Sequence, residues 1–362
     1  MKIFQIIPDV GLGGAEIMLE NLTYALRKKG EDVTVVVLFN KATPISKRLT
    51  KNGVRVVFLD KKPGLDISQI EKLIKLFKAE KPDVVHTHRN CTIYAIPAAI
   101  LCGIKAKIHT VHNIAVKENI KIHRIFNRVF FRCFGAVPVA LSKNIQHTIK
   151  EEYNIAEEKI PVIFNGIVMD EFKHKENQKL HNPIRLIHVG RFMKQKNHKI
   201  IVDAIVLLHK KYQNIELSFW GTGELKNEIE SYIAKNNADG YIFTKGTTDA
   251  VNEKLRESDI FLLPSVYEGV PITVIEAMAT GIPMVTTPVG GIPDMVSDNV
   301  DVLFAQNTPE SIAQRIEELI SSEDLRNRLS ENGLKNSVRF SAEVMAENYI
   351  NVYRKAIYLD KK

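Results

Sequence analysis

Cysteine is scarce in this chain, and nothing pairs the few that occur. Cys91, Cys102 and Cys133 are odd in number, lie in apolar surroundings and show no metal-like spacing. That excludes a disulfide framework and predicts buried free thiols in a reducing cytoplasm. Long hydrophobic runs are also lacking. The most apolar segment, Ile93 to Ile104, is too short to cross a bilayer and is interrupted by Pro97, so no transmembrane segment is expected. The opening MKIFQIIPDV has too few apolar residues for a signal peptide and reads as a first strand. Acid is outnumbered: the formal net charge is +8 and the pI about 9.1, which favours nucleic acid, anionic lipid or a phosphorylated substrate as partner. No nucleic-acid-binding module appears, nor basic runs interleaved with exposed aromatics. Phosphate-bearing substrate and membrane surface remain.

What is present is an ordinary globular composition, 45% hydrophobic and 25% charged over 362 residues, enough for two domains. Apolar strand runs alternate with helical patterns: strands at 33–39, 54–59, 84–86 and 107–111, helices at 66–80 and 92–102. This argues for an α/β fold with a doubly wound parallel sheet. Further strands are expected at 136–141 and 159–164. The polar stretch 173–183, KHKENQKLHNP, lacks apolar periodicity and is the expected linker. The pattern then restarts with strands at 185–189, 216–220, 241–245, 260–263 and 284–286. Helices at 198–211, 308–321 and 323–336, and a last one capped by Ser341 and reaching Tyr358, complete the second half.

The stretch from Ser258 to Gly281 is the most informative. Ile260 to Leu263 suits a buried parallel strand, and a loop with Ser265, Tyr267, Glu268 and Gly269 follows. Pro271 opens a helix that carries Glu276 and stops at Gly281. Ligands bind beyond the carboxyl ends of parallel strands, and the amides of Ile272, Thr273 and Val274 at the helix start suit an anion. Two carboxylates flanking such amides fit a ligand with both phosphates and sugar hydroxyls. The competing reading makes Glu268 and Glu276 solvated surface acids.

Other turns add to this picture. Gly13 and Gly14 precede Glu16 in a glycine-rich turn after the first strand; Glu16 breaks the dinucleotide fingerprint, but two glycines allow close backbone approach to a ligand. Gly190-Arg191 through Lys196 follows the first strand of the second half, where an arginine fork and a lysine can neutralise a diphosphate. His86, His88, His109 and His112 cluster along neighbouring strands, but with spacing wrong for zinc and no cysteine or acid to complete a site. No metal is expected.

The frame PS-x-x-EG-x-P-x-x-x-x-EAMA-x-G-x-P around Glu268 and Glu276 resembles the nucleotide-sugar site of glycosyltransferase family 4. The resemblance covers nearly the whole chain. It implies a GT-B fold, two Rossmann-like domains facing a cleft: 1–172 for the acceptor, the linker 173–183, 184–340 for the nucleotide sugar, and a terminal helix 341–358 crossing back to the first domain. It implies retaining sugar transfer from a nucleotide diphosphate sugar, UDP-linked with GDP as the alternative, without metal or other cofactor. Glu276 would bind the ribose, Glu268 the transferred sugar, and Arg191 and Lys196 the diphosphate. The turns at Gly190, at Gly221 and Gly223, and at Gly269 would lie against the donor. His112 matches a histidine that contacts the donor sugar, Asn113 would lie on the acceptor side, and Glu16 lies in a loop near the donor phosphates and the acceptor. His86 and His88 are structural strand-end residues or line the acceptor side. The family's Asn-Gly-(Ile/Val)-Asp departs here, with Val168 in the acid's place. The acceptor implied is a lipid-linked saccharide of envelope, capsule or exopolysaccharide assembly, at the cytoplasmic face of the membrane. A sugar-nucleotide 2-epimerase and a non-catalytic binding subunit are the alternatives.

Residues 117–134 carry Lys117, Lys121, Arg124, Arg128 and Arg132 at helical spacing, beside Ile125, Phe126, Val129, Phe130 and Phe134. Such a helix either lies on an anionic membrane or packs into the core with a solvated basic face.

Overall fold

The structure, a computed structural model, describes residues 1–11, 13–118 and 120–358. It divides into two compact units: Met1–Ile167 together with the terminal helix Ala342–Tyr358, and Val168–Ser341. Each unit holds a six-stranded parallel sheet.

In the first unit the strands are β1 (Lys2–Ile7), β2 (Asp32–Val37), β3 (Arg55–Phe58), β4 (Val84–His88), β5 (Ala106–Val111) and β6 (Ala136–Ala140). Their order is β3-β2-β1-β4-β5-β6, so the winding reverses between β1 and β4. In the second unit β7 (Ile184–Val189), β8 (Ile215–Trp220), β9 (Ile242–Thr244), β10 (Ile260–Leu263), β11 (Met284–Thr286) and β12 (Leu303–Phe304) run in the order β12-β11-β10-β7-β8-β9. There the reversal lies between β7 and β10. Helices cover both faces, so central strands such as β10 are fully buried along their length. That explains why they read as unbroken apolar runs, each large side chain contributing roughly 2 kcal/mol by burial.

Each unit is the doubly wound parallel sheet that the sequence leads one to expect, with differences in detail. The terminal helix belongs to the first unit, packed on helix Gly14–Lys28 and on β5. The expected strand at 159–164 is a 3-10 turn, Glu157–Lys159, and a single bridge from Val162 to Ala140. Helices Pro44–Lys51, Lys226–Lys235 and Val251–Arg256 and the two-residue β12 are additional to the elements expected from the sequence. Cys91 is buried as expected, but Cys133 is exposed, because it ends a helix on its outward side.

Residues 173–183 are no free linker. Lys175 donates its amide to Thr280 O at 3.0 Å, and its ammonium lies 3.2 Å from Asp259. His181 Nδ1 is 2.8 Å from the same carboxylate, which also accepts from the amide of Arg185 at 2.8 Å. Gln178 donates to Gly281 O at 3.0 Å. Lys175 and His181 thus turn to a buried acid, while Lys173, His174, Glu176 and Lys179 face solvent. Asp259→Ala is therefore expected to strand the nearly buried Lys175 cation and two amide donors, destabilising the second unit by about 3–5 kcal/mol. Urea titration of the full chain would show an earlier transition for the alanine variant than for Asp259→Asn. Equal midpoints for wild type and Asp259→Ala would refute the assignment.

Candidate functional site

The second unit gathers its candidate residues where the strand order reverses. β7 runs into Gly190, Arg191 and the 3-10 turn Lys194–Lys196, and β10 runs into the loop bearing Ser265 and Glu268. Glu268 is buried and receives three donors: Lys196 Nζ at 2.7 Å, Ser265 Oγ at 2.6 Å and Gln195 Nε2 at 3.1 Å. Val266 N donates to Gln195 O at 2.9 Å, which locks the two loops together. The glutamate is thus no solvated surface acid but the fixed centre of a cation-and-donor shell.

Glycines let the loops close over this centre. At Gly290 φ is +61°, and a Cβ there would lie 1.8 Å from Glu268 O. At Gly221, φ is +146° and a Cβ would meet Gly190 O at 2.0 Å, while at Gly190 it would press on His188 and on the Lys196 side chain. Gly223 backs onto Phe192 in the same way, and Gly269 O accepts from Gly291 N at 2.9 Å. Gly290 and Gly291 form another glycine-rich turn before a helix, and its packing on Glu268 assigns it to the site.

The helix Ile272–Thr280 starts beside this loop, with Pro271 as its cap rather than its first residue. Val274 N already donates to Pro271 O at 3.1 Å, so of the three expected amides only those of Ile272 and Thr273 remain without an intrahelical acceptor. The Thr273 hydroxyl is buried with no partner among the described residues. Glu276, one turn on, is buried, and burial followed by the nearby charge of Glu171 raises its carboxyl to about 7. Arg191 is exposed, with no hydrogen bond or ion pair to the described residues. A fork-shaped cation, two helix amides, an orphan hydroxyl and two buried carboxyls suit a ligand with anionic and hydroxyl parts.

The first unit carries a second cluster, again at its reversal between β1 and β4. His86 spends both ring nitrogens inside the core, on Tyr353 Oη at 2.8 Å and Thr110 Oγ1 at 2.7 Å. It fastens the terminal helix and has no atom left for a ligand, which corrects its placement on the acceptor side. His88 is likewise buried and fully used, with Nε2 3.0 Å from Gln5 Oε1 and Nδ1 3.0 Å from His112 Nε2. The Gln5 amide nitrogen donates to Thr23 Oγ1 at 3.1 Å. His88 Nε2 therefore donates to Gln5 and its Nδ1 accepts from His112, leaving Nδ1 of His112 as an acceptor. Burial lowers the imidazole of His112 to about 3, so it stays neutral. The amide of His112 donates to Glu118 Oε1 at 2.8 Å, and burial raises that carboxyl to about 8. Asn113 Oδ1 accepts from Ile114 N at 2.8 Å, a local turn.

Gly13 caps the helix Gly14–Lys28, and a Cβ on Gly14 would face open space. Glu16 is buried and bound to Arg89 at 2.7 Å; Arg89 also reaches Asp9 at 3.2 Å. The Glu16 carboxylate is thereby committed to shaping this loop, through an arginine the sequence does not single out. Beside it a pocket of about 620 Å³ is lined by Asp9, Gly11, Phe39, Lys41, Asp60 and Lys61, among others. Among the described residues no three of histidine, cysteine, aspartate and glutamate converge as a metal site would require.

Comparison with known proteins decides the family. Residues 12–171 match the profile of Glycosyltransferase Family 4, and residues 169–336 that of Glycosyl transferases group 1. The chain belongs to glycosyltransferase family 4. It is 29% identical over 254 residues, 65% of each chain, to the UDP-Gal:alpha-D-GlcNAc-diphosphoundecaprenol alpha-1,3-galactosyltransferase of Escherichia coli. It is 26% identical over 352 residues, 91% of each chain, to the capsular polysaccharide biosynthesis glycosyltransferase CapM of Staphylococcus aureus. Its fold matches that of Anabaena HepE, solved in complex with UDP and glucose, with a TM-score of 0.86 at 17% identity, over 98% of this chain and 99% of that one.

For this glycosyltransferase, the sequence frame finds Glu268, Glu276, Arg191 and Lys196, but not what holds them. Ser265 and Gln195 lie within or beside quoted motifs, yet only their distances to Glu268 reveal them as its donors. Gly290 had a signal, the Gly-Gly pair after β11, but its partner is more than twenty residues away.

Proposed function

We propose that this glycosyltransferase moves a sugar from a UDP-sugar to a hydroxyl of a lipid-linked saccharide, with retention and without a metal, in envelope, capsule or exopolysaccharide assembly. The printed activity of the Escherichia coli relative and the capsular role in the name of the Staphylococcus aureus relative support the substrate class. The observation that carries the chemistry is the shell of Lys196, Ser265 and Gln195 around Glu268, with Arg191 exposed and unpaired among the described residues.

In this reading the diphosphate lies between Arg191, Lys196 and the amides of Ile272 and Thr273, and Glu276 accepts from the ribose hydroxyls. Glu268 reads hydroxyls of the sugar, and the first unit offers the Nδ1 acceptor of His112 to a ligand hydroxyl. When the bond from the anomeric carbon to the β-phosphate oxygen breaks, its electron pair stays on the phosphate, and the cations and amides stabilise that charge. The leaving phosphate takes the proton of the acceptor hydroxyl, whose oxygen bonds the anomeric carbon on the same face. Glu268 does not attack: both its oxygens are already bound to donors, which lowers its nucleophilicity. The pocket beside Phe39, Lys41 and Lys61 is the place for the acceptor saccharide.

The test is a thermal-shift screen of the full chain across nucleotide sugars, with and without EDTA. A UDP-sugar at about 100 times its Kd should add roughly 2.7 kcal/mol of stability, unchanged by EDTA, and GDP-sugars should add less. Product isolated after transfer should show the donor's anomeric configuration by NMR. If no nucleotide sugar shifts the melting point, or the product is inverted, the reading fails.

A further inference from the structure

Strand β1 is apolar from Ile3 to Ile7 except for Gln5, whose side chain is fully buried, and the helix Gly14–Lys28 brings an equally buried Thr23 against it. An amide inside a core costs free energy unless its donor and its acceptor are both used. Here both are. The Gln5 nitrogen donates to Thr23 Oγ1 at 3.1 Å, and its carbonyl oxygen lies 3.0 Å from His88 Nε2 at the end of β4. His88 Nδ1 in turn meets His112 Nε2, just past β5, at 3.0 Å. β1, β4 and β5 are neighbours in the sheet, so four side chains far apart in sequence form one line of hydrogen bonds across it.

The line has a direction. Burial holds the imidazoles of His88 and His112 neutral, and a neutral ring has one N–H and one bare nitrogen. What Gln5 offers to His88 therefore settles, two rings later, what His112 shows at Nδ1. An amide turned the other way would reverse every bond in the line and put a proton there. The far end is fixed as well, because the backbone N–H of His112 donates to Glu118 Oε1 at 2.8 Å. Nδ1 of His112 has no partner among the described residues, and the residue is half-buried rather than enclosed.

We propose that Gln5, backed by Thr23, is a positioning residue that keeps His112 a hydrogen-bond acceptor, so that the group meeting it is a saccharide hydroxyl and not a carbonyl or phosphodiester oxygen. Carbonyl and phosphodiester oxygens carry no proton and would set two lone pairs face to face, whereas a hydroxyl donates. That the hydroxyl belongs to a saccharide rests on the proposed sugar transfer; the polarity of the line does not. Gln5→Met keeps the length of the side chain and removes the amide. The His88 N–H then has no acceptor, and an orphaned buried N–H is tolerated less well than an orphaned lone pair. Each ring answers by moving its one proton: His88 from Nε2 to Nδ1, where it donates to His112 Nε2, and His112 from Nε2 to Nδ1. A substitution that touches no ligand thereby turns the acceptor into a donor.

The experiment records long-range proton–nitrogen spectra of the full chain, isotope-labelled at histidine, at neutral pH, with the His112 signals assigned by their loss in His112→Asn. Wild type and Thr23→Ser, which keeps the hydroxyl, should show the proton of His112 on Nε2 and a bare Nδ1. Gln5→Met should show the reverse. A protonated Nδ1 or a mixture of forms in wild type overturns the proposal without any variant having to fold, and so does an unchanged His112 in a folded Gln5→Met. Binding then names the source of the hydroxyl. UDP alone, lacking a sugar, should raise the melting point of Gln5→Met as much as that of wild type. If the donor sugar supplies the hydroxyl, the nucleotide sugar that stabilises wild type most should bind Gln5→Met about tenfold more weakly. If the acceptor supplies it, that affinity is kept and kcat/KM for transfer falls about tenfold instead. If neither falls, no saccharide hydroxyl meets His112 and the proposal fails. Absence of any nucleotide-sugar shift in wild type would sink the proposed transfer, while the His112 spectra still decide the polarity.

Discussion

Lys196→Ala is expected to lose both activity and stability, and Arg191→Ala to lose activity alone. The two cations have the same proposed task at the diphosphate, so each deletion should lower kcat/KM by about 10²–10³-fold, as loss of one fixed donor to a developing charge does. They differ in what they leave behind. Lys196 lies 2.7 Å from Glu268, with side-chain exposures of 14% and 5% for the pair. Removing it leaves a buried carboxylate with only Ser265 and Gln195 to solvate it, which should cost about 2–4 kcal/mol of stability. Arg191 is exposed and pairs with nothing described, so its loss should leave the melting temperature within about 1 °C of wild type. Differential scanning calorimetry beside steady-state kinetics separates the two. Equal melting temperatures for both variants would mean that the Lys196–Glu268 pair does not hold the loops. Undiminished transfer by Arg191→Ala would remove it from the diphosphate.

Glu276→Gln is expected to make the free protein more stable and the nucleotide-bound protein less so. Burial raises this carboxyl from 4.5 to about 7. A carboxyl whose pKa is raised on folding gives its full stability below about pH 4.5, and that stability is lost as the pH rises through about 7. At pH 8 wild type therefore holds a charge that burial disfavours, and the neutral glutamine should gain about 2–3 kcal/mol there and almost nothing at pH 4.5. The proposed ribose contact pulls the other way. Two hydroxyls donating to a carboxylate lose charge-assisted bonds on an amide, worth roughly 1.5–3 kcal/mol, so UDP should bind about 10–100-fold more weakly. Melting curves at pH 5 and 8, with and without UDP, test both halves. A variant less stable than wild type at pH 8 contradicts the burial account, and unchanged UDP affinity contradicts the ribose assignment.

The same contrast between near and distant neighbours separates what could be read from the chain from what could not. The parallel strands were legible because burial on both faces makes them continuous apolar runs, and the glycine-rich turns because tight strand-to-helix turns demand them. Glu268 and Glu276 stood out through their spacing within one loop and helix. Their surroundings did not. Gln195 and Ser265 meet at Glu268 across 70 residues, and the tautomer of His112 depends on Gln5 and Thr23, about ninety or more residues upstream. The stretch 173–183 looked like solvent-facing linker because its partner, Asp259, is remote. The stretch 117–134 reads as one helix because its periodicity runs on past the extended Ile120, although Ala115–Glu118 and Lys121–Cys133 are separate helices.

By itself, then, the order of residues determined the two wound sheets, the family, and which side chains have the chemistry for a phosphate and a sugar. Local pattern suffices there, since each of those features is written within a few turns of chain. Only the tertiary structure decided which carboxylates are buried, which cations are already paired, which histidines are spent inside the core, and which isoleucines and phenylalanines remain outside. Those outcomes depend on partners brought together from far along the chain, and burial is a property of the packed assembly of elements rather than of any one of them.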